Sequence, residues 1–191
     1  MAYLEVVSVS KQPRNEVMKE NASEGDQKIK VLFVCLGNIC RSPMAEGVFR
    51  SVVEQAGYAE RFEIRSAGTG DWHVGGGADP RTCSTVRRYG ISVDDHCARQ
   101  FQKEDFERYD HIFVMDKQNL NDVLYLDRED AYGNKVRLFR EFDPEPGDYQ
   151  VPDPYYDGPQ GFEEVYNITL RTSKVLLDRL VQTYDLQPAG S

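Results

Sequence analysis

Apolar residues recur along the chain in two patterns that alternate with each other. Short apolar runs predict four strands, at residues 31–34, 62–66, 111–115 and 135–139. Longer stretches with apolar residues at helical spacing predict four helices, at residues 44–55, 79–90, 116–126 and 162–184. Strands that alternate with helices are typical of parallel sheets. We therefore expect a single-domain α/β fold, a doubly wound parallel sheet of about four strands with helices on both faces.

Residues that commonly begin or end helices stand at the predicted helix ends. Side chains that accept hydrogen bonds from the first turn are predicted N-caps at Ser42, Asp79 and Asp116. Pro43 and Pro80 suit the first helical position, and Gly57 and Gly90 suit the residue after the last turn. The four charged residues 127–130 predict a solvated turn.

Length and composition indicate one folded domain with short additions at its ends. A chain of 191 residues with 40% hydrophobic content can bury one core of this kind. Residues 1–28 mix charges of both signs with small polar residues and predict a flexible extension, in which the alternation at residues 4–9 could instead form a short edge strand. We expect the domain to span residues 29–186 and a tail to follow at residues 187–191.

Charge and cysteine content narrow the function. The formal net charge of -9 argues against a nucleic-acid or anionic-membrane binder, whose affinity comes from neutralising phosphates. Four cysteines, with no secretory pattern and no apolar run of membrane-spanning length, favour the reducing cytoplasm. We expect no cofactor, no metal, no nucleic acid and no membrane, and a monomer or weak dimer.

The stretch around the first strand carries the clearest chemistry. Cys35 ends the predicted strand, a loop of a few residues follows, and Arg41 lies where the next helix begins. Unpaired N–H groups at a helix N-terminus, together with the helix dipole, form an oxyanion site. The same positive environment favours the thiolate form of cysteine, so Cys35 is expected to be ionised at neutral pH. A thiolate beneath a bound phosphate ester can attack phosphorus while Arg41 and the loop amides hold its oxygens.

Other interpretations of these residues stay open at this point. Cys35 could be a buried structural thiol, because free cysteine is among the most buried residue types. Cys35 and Cys40 have a spacing that some zinc sites tolerate, although Cys83 and Cys97 form no matching second pair and the neighbouring arginine disfavours a cation. The glycine-lysine loop of ATP and GTP sites is absent.

Several motifs together resemble those of the low molecular weight protein tyrosine phosphatases. They are Cys35-x5-Arg41-Ser42 with Leu-Gly-Asn-Ile-Cys between, Ser-Ala-Gly-Thr-Gly-Asp-Trp-His-Val at 66–74, His-Cys-Ala-Arg-Gln at 96–100, Val-Met-Asp at 114–116 and Asp-Pro-Tyr-Tyr at 153–156. The resemblance covers nearly everything after residue 29. It departs from the family at Cys97, where members commonly carry a basic residue.

The resemblance implies a role for each matching residue. Cys35 would be the nucleophile, Arg41 the transition-state clamp and Asp153 the acid and then the base, although spacing alone favours a turn residue at Asp153. The phosphate would be held by Leu36, Gly37, Asn38, Ile39, Cys40, Arg41 and Ser42. Ser66, His96 and Asp116 would support this loop, and Trp72, Tyr155 and Tyr156 would line the substrate cleft.

The predicted function is hydrolysis of phosphotyrosine in proteins, without a metal, through a cysteinyl phosphate. Three alternatives remain: a phosphoarginine phosphatase, a thiol-dependent arsenate reductase that would need Cys83 and Cys97 as a relay, and a phosphotyrosine-binding module without catalysis. Ile39, rather than a small hydroxylated residue, favours phosphotyrosine over phosphoarginine. Cys40, within the loop, suggests redox control through a reversible disulfide with Cys35.

Overall fold

The computed structural model describes residues 27–188. Its four strands are β1 (Ile29–Cys35), β2 (Phe62–Gly68), β3 (His111–Val114) and β4 (Val136–Leu138). Its five α-helices are α1 (Arg41–Gln55), α2 (Pro80–Arg87), α3 (Asp105–Arg108), α4 (Lys117–Leu124) and α5 (Pro159–Thr183). Short 3-10 helices occupy Ala59–Arg61, Gly133–Lys135 and Phe139–Phe142. No helix in this part of the chain is long and apolar enough to cross a membrane.

The strands form one parallel sheet in the order β2-β1-β3-β4. Successive side chains of β1 point to opposite faces, so Val31 and Phe33 enter one hydrophobic core and Leu32 and Val34 enter the other. The first core is covered by α1, α2 and α5, and the second by α3 and α4. The expected doubly wound sheet with helices on both faces is confirmed.

The chain order places the carboxyl end of β1 at the point where the connections diverge. The connection after β1 leads to β2 on one side, and β3 then pairs on the other side of β1. Ligands of doubly wound sheets bind in the crevice at such a switch point. Cys35 ends β1, and Asp116 follows β3 by two residues, so both lie at this crevice.

All eight predicted elements are present, and most of their caps are confirmed. Asp79 accepts a hydrogen bond from Arg81 N, and Asp116 accepts one from Asn119 N. Gly57 and Gly90 have the positive φ angles of 80° and 74° that suit residues after helix ends. The one-turn helix α3 was not predicted, because four residues carry too little periodicity to detect.

Predictions at two places are wrong for tertiary reasons. Ser42 is not an N-cap and Pro43 is the third rather than the first helical residue, because α1 begins at Arg41 after Cys40. The Ser42 hydroxyl is engaged by Cys35 and Asn38. Asp127 is buried rather than part of a solvated turn, because its carboxylate accepts hydrogen bonds from two backbone N–H groups of the following loop, at 3.0 Å and 2.7 Å.

Two predictions about the chain ends fall largely outside the described residues. The predicted extension at residues 1–28, with its alternative strand at residues 4–9, is outside them apart from residues 27 and 28. The predicted tail at 187–191 is outside them apart from residues 187 and 188.

Candidate active site

The loop between β1 and α1 is held by bonds to its carbonyl groups. Thr69 N donates to the carbonyl of Cys35 at 2.8 Å, Gly70 N to that of Leu36 at 2.9 Å, and Asp79 N to that of Ile39 at 2.8 Å. These bonds tie the loop carbonyls to neighbouring segments. Asn38 N points inward and donates to Cys35 Sγ at 3.3 Å, which places one loop amide against the sulfur.

Helix α1 adds its own N-terminal groups to this loop. Its N-cap residue Cys40 makes no side-chain capping bond, and no acidic residue stands in the first turn. The first N–H groups of a 15-residue helix are therefore not taken by a capping side chain. With the helix dipole they give the loop a geometry that can bind an anion.

Close approach at one glycine shapes the wall beside this loop. A Cβ atom on Gly68 would lie 2.8 Å from the Leu36 carbonyl and 3.0 Å from Asn38 N. Only glycine lets the end of β2 pack this tightly against the loop backbone.

Asn38 is the centre of the supporting bonds. Its side chain is buried, and its backbone adopts φ 54°, a left-handed conformation that asparagine tolerates better than most residues. Nδ2 donates to Ser42 Oγ at 2.8 Å and to Ser66 Oγ at 2.9 Å, and Oδ1 accepts from Arg99 N at 2.9 Å. His96 Nε2 is bonded to the Asn38 carbonyl at 2.7 Å. These contacts hold the loop in the shape that surrounds the Cys35 sulfur.

Ser42 contacts the sulfur directly. Its Oγ lies 3.0 Å from Cys35 Sγ, and it also donates to the Ala67 carbonyl at 3.2 Å. A hydroxyl carries one proton, so it can donate either to the sulfur or to the carbonyl. An ionised sulfur would accept a hydrogen bond from this hydroxyl and be stabilised by it.

Arg41 is buried and held by two carboxylates. Its Nη1 donates to Asp116 Oδ2 at 2.6 Å and to the Val151 carbonyl at 3.3 Å, and its Nη2 donates to Asp153 Oδ2 at 2.8 Å. Burial opposes the charge of the guanidinium, but the neighbouring Cys35, Asp153 and Asp116 together raise the pKa of Arg41 above its ordinary value. Asp116 thus caps α4 with one oxygen and orients Arg41 with the other.

Cys40 lies within the same loop, and its thiol is held in the neutral form. Burial raises the pKa of Cys40 to about 12, with further contributions from the charges of Asp79, Cys35 and Asp153. It is therefore a neutral thiol at pH 7, within the same loop.

A cavity of about 260 Å³ opens above the loop. Cys35 and Arg41 lie among its lining residues, together with Trp72, Asp153, Tyr155 and Tyr156. Trp72 and Tyr156 are 66% and 94% exposed, so they form the rim of the cavity rather than part of the core. A Cβ on Gly70 would lie 1.8 Å from the Trp72 ring, so only glycine lets that ring lie there.

The structure brings all the predicted site residues to one place. The loop residues 36–42 surround the sulfur, while Ser66, His96 and Asp116 support the loop or Arg41 from behind. The three aromatic residues and Asp153 lie at the cavity mouth. Such an arrangement can hold a tetrahedral oxyanion over a sulfur nucleophile, with a carboxyl group and a flat apolar wall beside it.

Sequence reasoning missed several residues that shape this site. Glu46 accepts from Ser66 Oγ at 2.7 Å, Arg99 N holds Asn38, and Arg81 contacts the loop that carries Asp153. Of these three residues, only Glu46 has a feature that the sequence could have revealed, a carboxylate on the buried face of α1 one turn after Ser42. The other two act through contacts between residues far apart in the chain.

Comparisons with known proteins find relatives over most of the chain. Residues 30–185 match the family model described as low molecular weight phosphotyrosine protein phosphatase. A low molecular weight protein-tyrosine-phosphatase of Streptomyces coelicolor is 49% identical over 150 residues, which are 78% of this chain and 91% of that protein. A low molecular weight phosphotyrosine protein phosphatase of Schizosaccharomyces pombe is 48% identical over 141 residues, 73% of this chain and 89% of that protein.

A solved structure extends the likeness to three dimensions. A protein tyrosine phosphatase of Entamoeba histolytica, crystallised with Hepes in its active site, is 36% identical with a TM-score of 0.78. The match covers 82% of this chain and 99% of that one. With the family model spanning nearly all of the described residues, these likenesses show that the chain belongs to the low molecular weight phosphotyrosine protein phosphatase family.

Proposed function

We propose that this protein hydrolyses phosphotyrosine in proteins through a cysteinyl-phosphate intermediate. The observation that carries the proposal is the meeting of Cys35, Arg41 and Asp153 at one cavity whose floor is a loop of backbone amides. Three residues from distant parts of the chain supply a nucleophile, a fixed cation and a carboxyl group.

In the first step the Cys35 thiolate attacks phosphorus and forms the S–P bond. The ester P–O bond breaks, its electron pair goes to the phenolic oxygen, and that oxygen takes a proton from Asp153. Arg41 and the loop amides hold the three equatorial oxygens as charge develops on them. Arg41 is bonded to Asp153, so a bound phosphate would compete with Asp153 for the guanidinium and free the carboxyl group to face the leaving oxygen.

In the second step water attacks phosphorus and gives a proton to the ionised Asp153. The S–P bond breaks and its electron pair returns to sulfur, releasing inorganic phosphate. The Ser42 hydroxyl, 3.0 Å from Cys35 Sγ, then donates a hydrogen bond to the departing thiolate. This contact stabilises the charge that sulfur regains.

The substrate class follows from the cavity mouth. Trp72, Tyr155 and Tyr156 offer aromatic surface to a phenyl ring, and their exposure leaves room for the protein that carries it. Phosphotyrosine-containing proteins are therefore the proposed partners. The thiolate nucleophile favours action in the reducing cytoplasm, and a monomer or weak dimer would leave the cavity mouth free.

The arsenate reductase alternative is disfavoured by the positions of the remaining cysteines. A disulfide relay needs further thiols that can reach Cys35. Cys83 lies on α2 with its thiol directed at the Ala78 carbonyl, Cys97 is exposed, and neither lines the cavity that Cys35 lines. Asp153 would also have no role in that chemistry.

Redox control of the same site rests on Cys40. Peroxide would oxidise the Cys35 thiolate to a sulfenic acid with release of hydroxide, and the Cys40 thiol would then attack that sulfur, forming a disulfide and water. Because the pKa of Cys40 is raised to about 12, the second reaction is expected to be slow at neutral pH and to accelerate as the pH rises.

The experiment compares three matched peptides carrying phosphotyrosine, phosphoserine or phosphoarginine, with excess EDTA present. Phosphate release from phosphotyrosine alone is expected, with turnover lost in Cys35→Ser and reduced by a factor on the order of 10² to 10⁴ in Asp153→Ala. Cys83→Ser serves as the matched control and should keep full turnover. Turnover that survives in Cys35→Ser, or tight phosphopeptide binding without release of phosphate, would refute the proposal.

A further inference from the structure

Arg81 makes an unusual set of contacts for a side chain at the surface. It lies in the first turn of α2 and its side chain is 41% exposed, yet all three guanidinium nitrogens are bonded. Nε and Nη2 donate to the two oxygens of Asp79 at 3.0 Å and 2.8 Å. Nη1 donates to the carbonyls of Tyr155 at 3.0 Å and Asp157 at 3.4 Å. The planar fork of arginine is required for such two-sided bonding, which a lysine ammonium does not reproduce.

Two aromatic rings further restrict this guanidinium. Its central carbon lies 4.6 Å from the centre of the Phe162 ring and 5.5 Å from that of Tyr155. These cation–π contacts restrain the fork where it meets the loop.

Asp79 joins Arg81 to the phosphate loop. Its backbone N–H donates to the Ile39 carbonyl at 2.8 Å, and its carboxylate, 10% exposed, binds the guanidinium and the N–H of Arg81. The hydrogen bonds from Arg81 lower the pKa of Asp79, so its charge is kept at neutral pH. Direct bonds therefore run from Ile39 in the phosphate loop through Asp79 and Arg81 to Tyr155.

The segment that carries Asp153 depends on this connection. Before Asp153 the segment is tied by Val151 N, which donates to the Met115 carbonyl, and by the bond from Arg41 to the Val151 carbonyl. Between Asp153 and the start of α5, the backbone of the segment accepts hydrogen bonds from a side chain elsewhere in the chain. Among the described contacts that side chain is Arg81. Tyr155 N in turn donates to Asp153 Oδ1 at 3.2 Å.

We propose that Arg81 is a positioning residue that holds Asp153 over the phosphate loop during catalysis. The inference rests on the proposed function. Asp153 is also held by Arg41. When a phosphate takes over Arg41, that tether is released, and the bonds of Arg81 to the Tyr155 and Asp157 carbonyls keep the acid in place. A displacement of about 1 Å at a reacting group can cost on the order of 10²-fold in rate.

The test separates loss of the acid from general damage by changing the leaving group. kcat/KM is measured for 4-nitrophenyl phosphate, whose leaving group needs little protonation, and for phenyl phosphate, whose leaving group needs much more. Arg81→Gln is expected to lower kcat/KM for phenyl phosphate by about 10- to 100-fold and for the nitrophenyl ester several-fold less. Asp153→Asn, the positive control, should show the same selectivity more strongly.

Arg88→Gln is the matched control, because Arg88 caps the same helix and pairs with Glu163 on α5 without touching the Asp153 segment. It should change neither rate. The double variant Arg81→Gln with Asp153→Asn should be no slower than Asp153→Asn, since both changes act through one carboxyl group. Arg81→Lys keeps the charge but not the planar fork, so it should show the same leaving-group pattern with smaller losses in kcat/KM. It replaces Arg81→Gln in the test if a thermal melt shows that Arg81→Gln does not fold.

The outcomes keep this inference apart from the proposed function. Equal losses on both esters for Arg81→Gln or Arg81→Lys, or a double variant with multiplied losses, would overturn the positioning role while leaving Asp153 as the acid. If Asp153→Asn itself shows no selectivity between the esters, the acid assignment fails, and the role of Arg81 fails with it.

Discussion

Replacing Asn38 should reveal how strongly the phosphate loop is held. The Asn38 side chain makes three buried hydrogen bonds, to Ser42, Ser66 and Arg99. At a net value of roughly 1 kcal/mol each, Asn38→Ala should lower the free energy of unfolding by about 3 kcal/mol. The backbone at φ 54° adds about 1 kcal/mol more, because alanine pays for a left-handed conformation that asparagine tolerates.

Two further variants divide this free energy into its parts. Asn38→Gly removes the same hydrogen bonds but accepts the positive φ, so it should be about 1 kcal/mol less destabilising than Asn38→Ala. Ser66→Ala removes one of these bonds and also the bond from Ser66 Oγ to Glu46, so it should cost about 2 kcal/mol. The free energy of unfolding is measured by urea denaturation and kcat/KM with an aryl phosphate. Asn38→Ala should also lose on the order of 10² in kcat/KM, because the loop that surrounds Cys35 moves.

The three variants should follow a definite order of stability. Asn38→Ala should be the least stable, Asn38→Gly next and Ser66→Ala the most stable of the three. An Asn38→Ala protein within about 0.5 kcal/mol of the unmodified one would show that the network does not hold the loop. A Ser66→Ala protein as unstable as Asn38→Ala would show that the bonds are not separable in this way.

Three further predictions concern other parts of the molecule. At pH 7 iodoacetamide should modify Cys35 and leave Cys40 unmodified, since the pKa of Cys40 is raised to about 12 by burial; mass spectrometry showing equal labelling would contradict this. Asp143→Asn should lower the free energy of unfolding by about 3 kcal/mol, because the two arginines paired with this buried carboxylate lose its negative charge. In the same urea titration, Glu60→Gln at an exposed ion pair should cost under about 0.5 kcal/mol. Although burial opposes its charge, the arginine hydrogen bonds lower the pKa of Asp143 in the folded state. The stabilisation by the Asp143 charge is therefore complete above the unfolded-state pKa of about 3.9 and is lost as the pH falls through the pKa of the folded state. A loss of stability in Asp143→Asn that stays the same size below about pH 4 would contradict this. Phe33→Ala should cost about 3 to 5 kcal/mol in urea titration, because the ring is fully buried among other aromatic rings, and a cost below about 1 kcal/mol would mean that the core refills the space.

Interactions between residues close together in the chain made most of the fold predictable from the sequence. The apolar run before Cys35 predicts a strand because a strand covered on both faces needs apolar residues at successive positions, as residues 31–34 of β1 show. Asp79 and Asp116 predict helix starts because a cap acts over two or three residues. The short loop from Cys35 to Arg41 likewise predicts an anion site, since strand, loop and helix N-terminus are contiguous in the chain.

Only the tertiary structure decided which groups meet across long separations. Ser42 suits an N-cap by its neighbours, but its hydroxyl is drawn to Cys35 and Asn38 once the loop closes. Arg81 precedes Tyr155 by 74 residues, so no local pattern could assign it to the segment that carries Asp153. The sheet order brings these distant segments together, and side-chain hydrogen bonds that reward such proximity form only after the chain has folded.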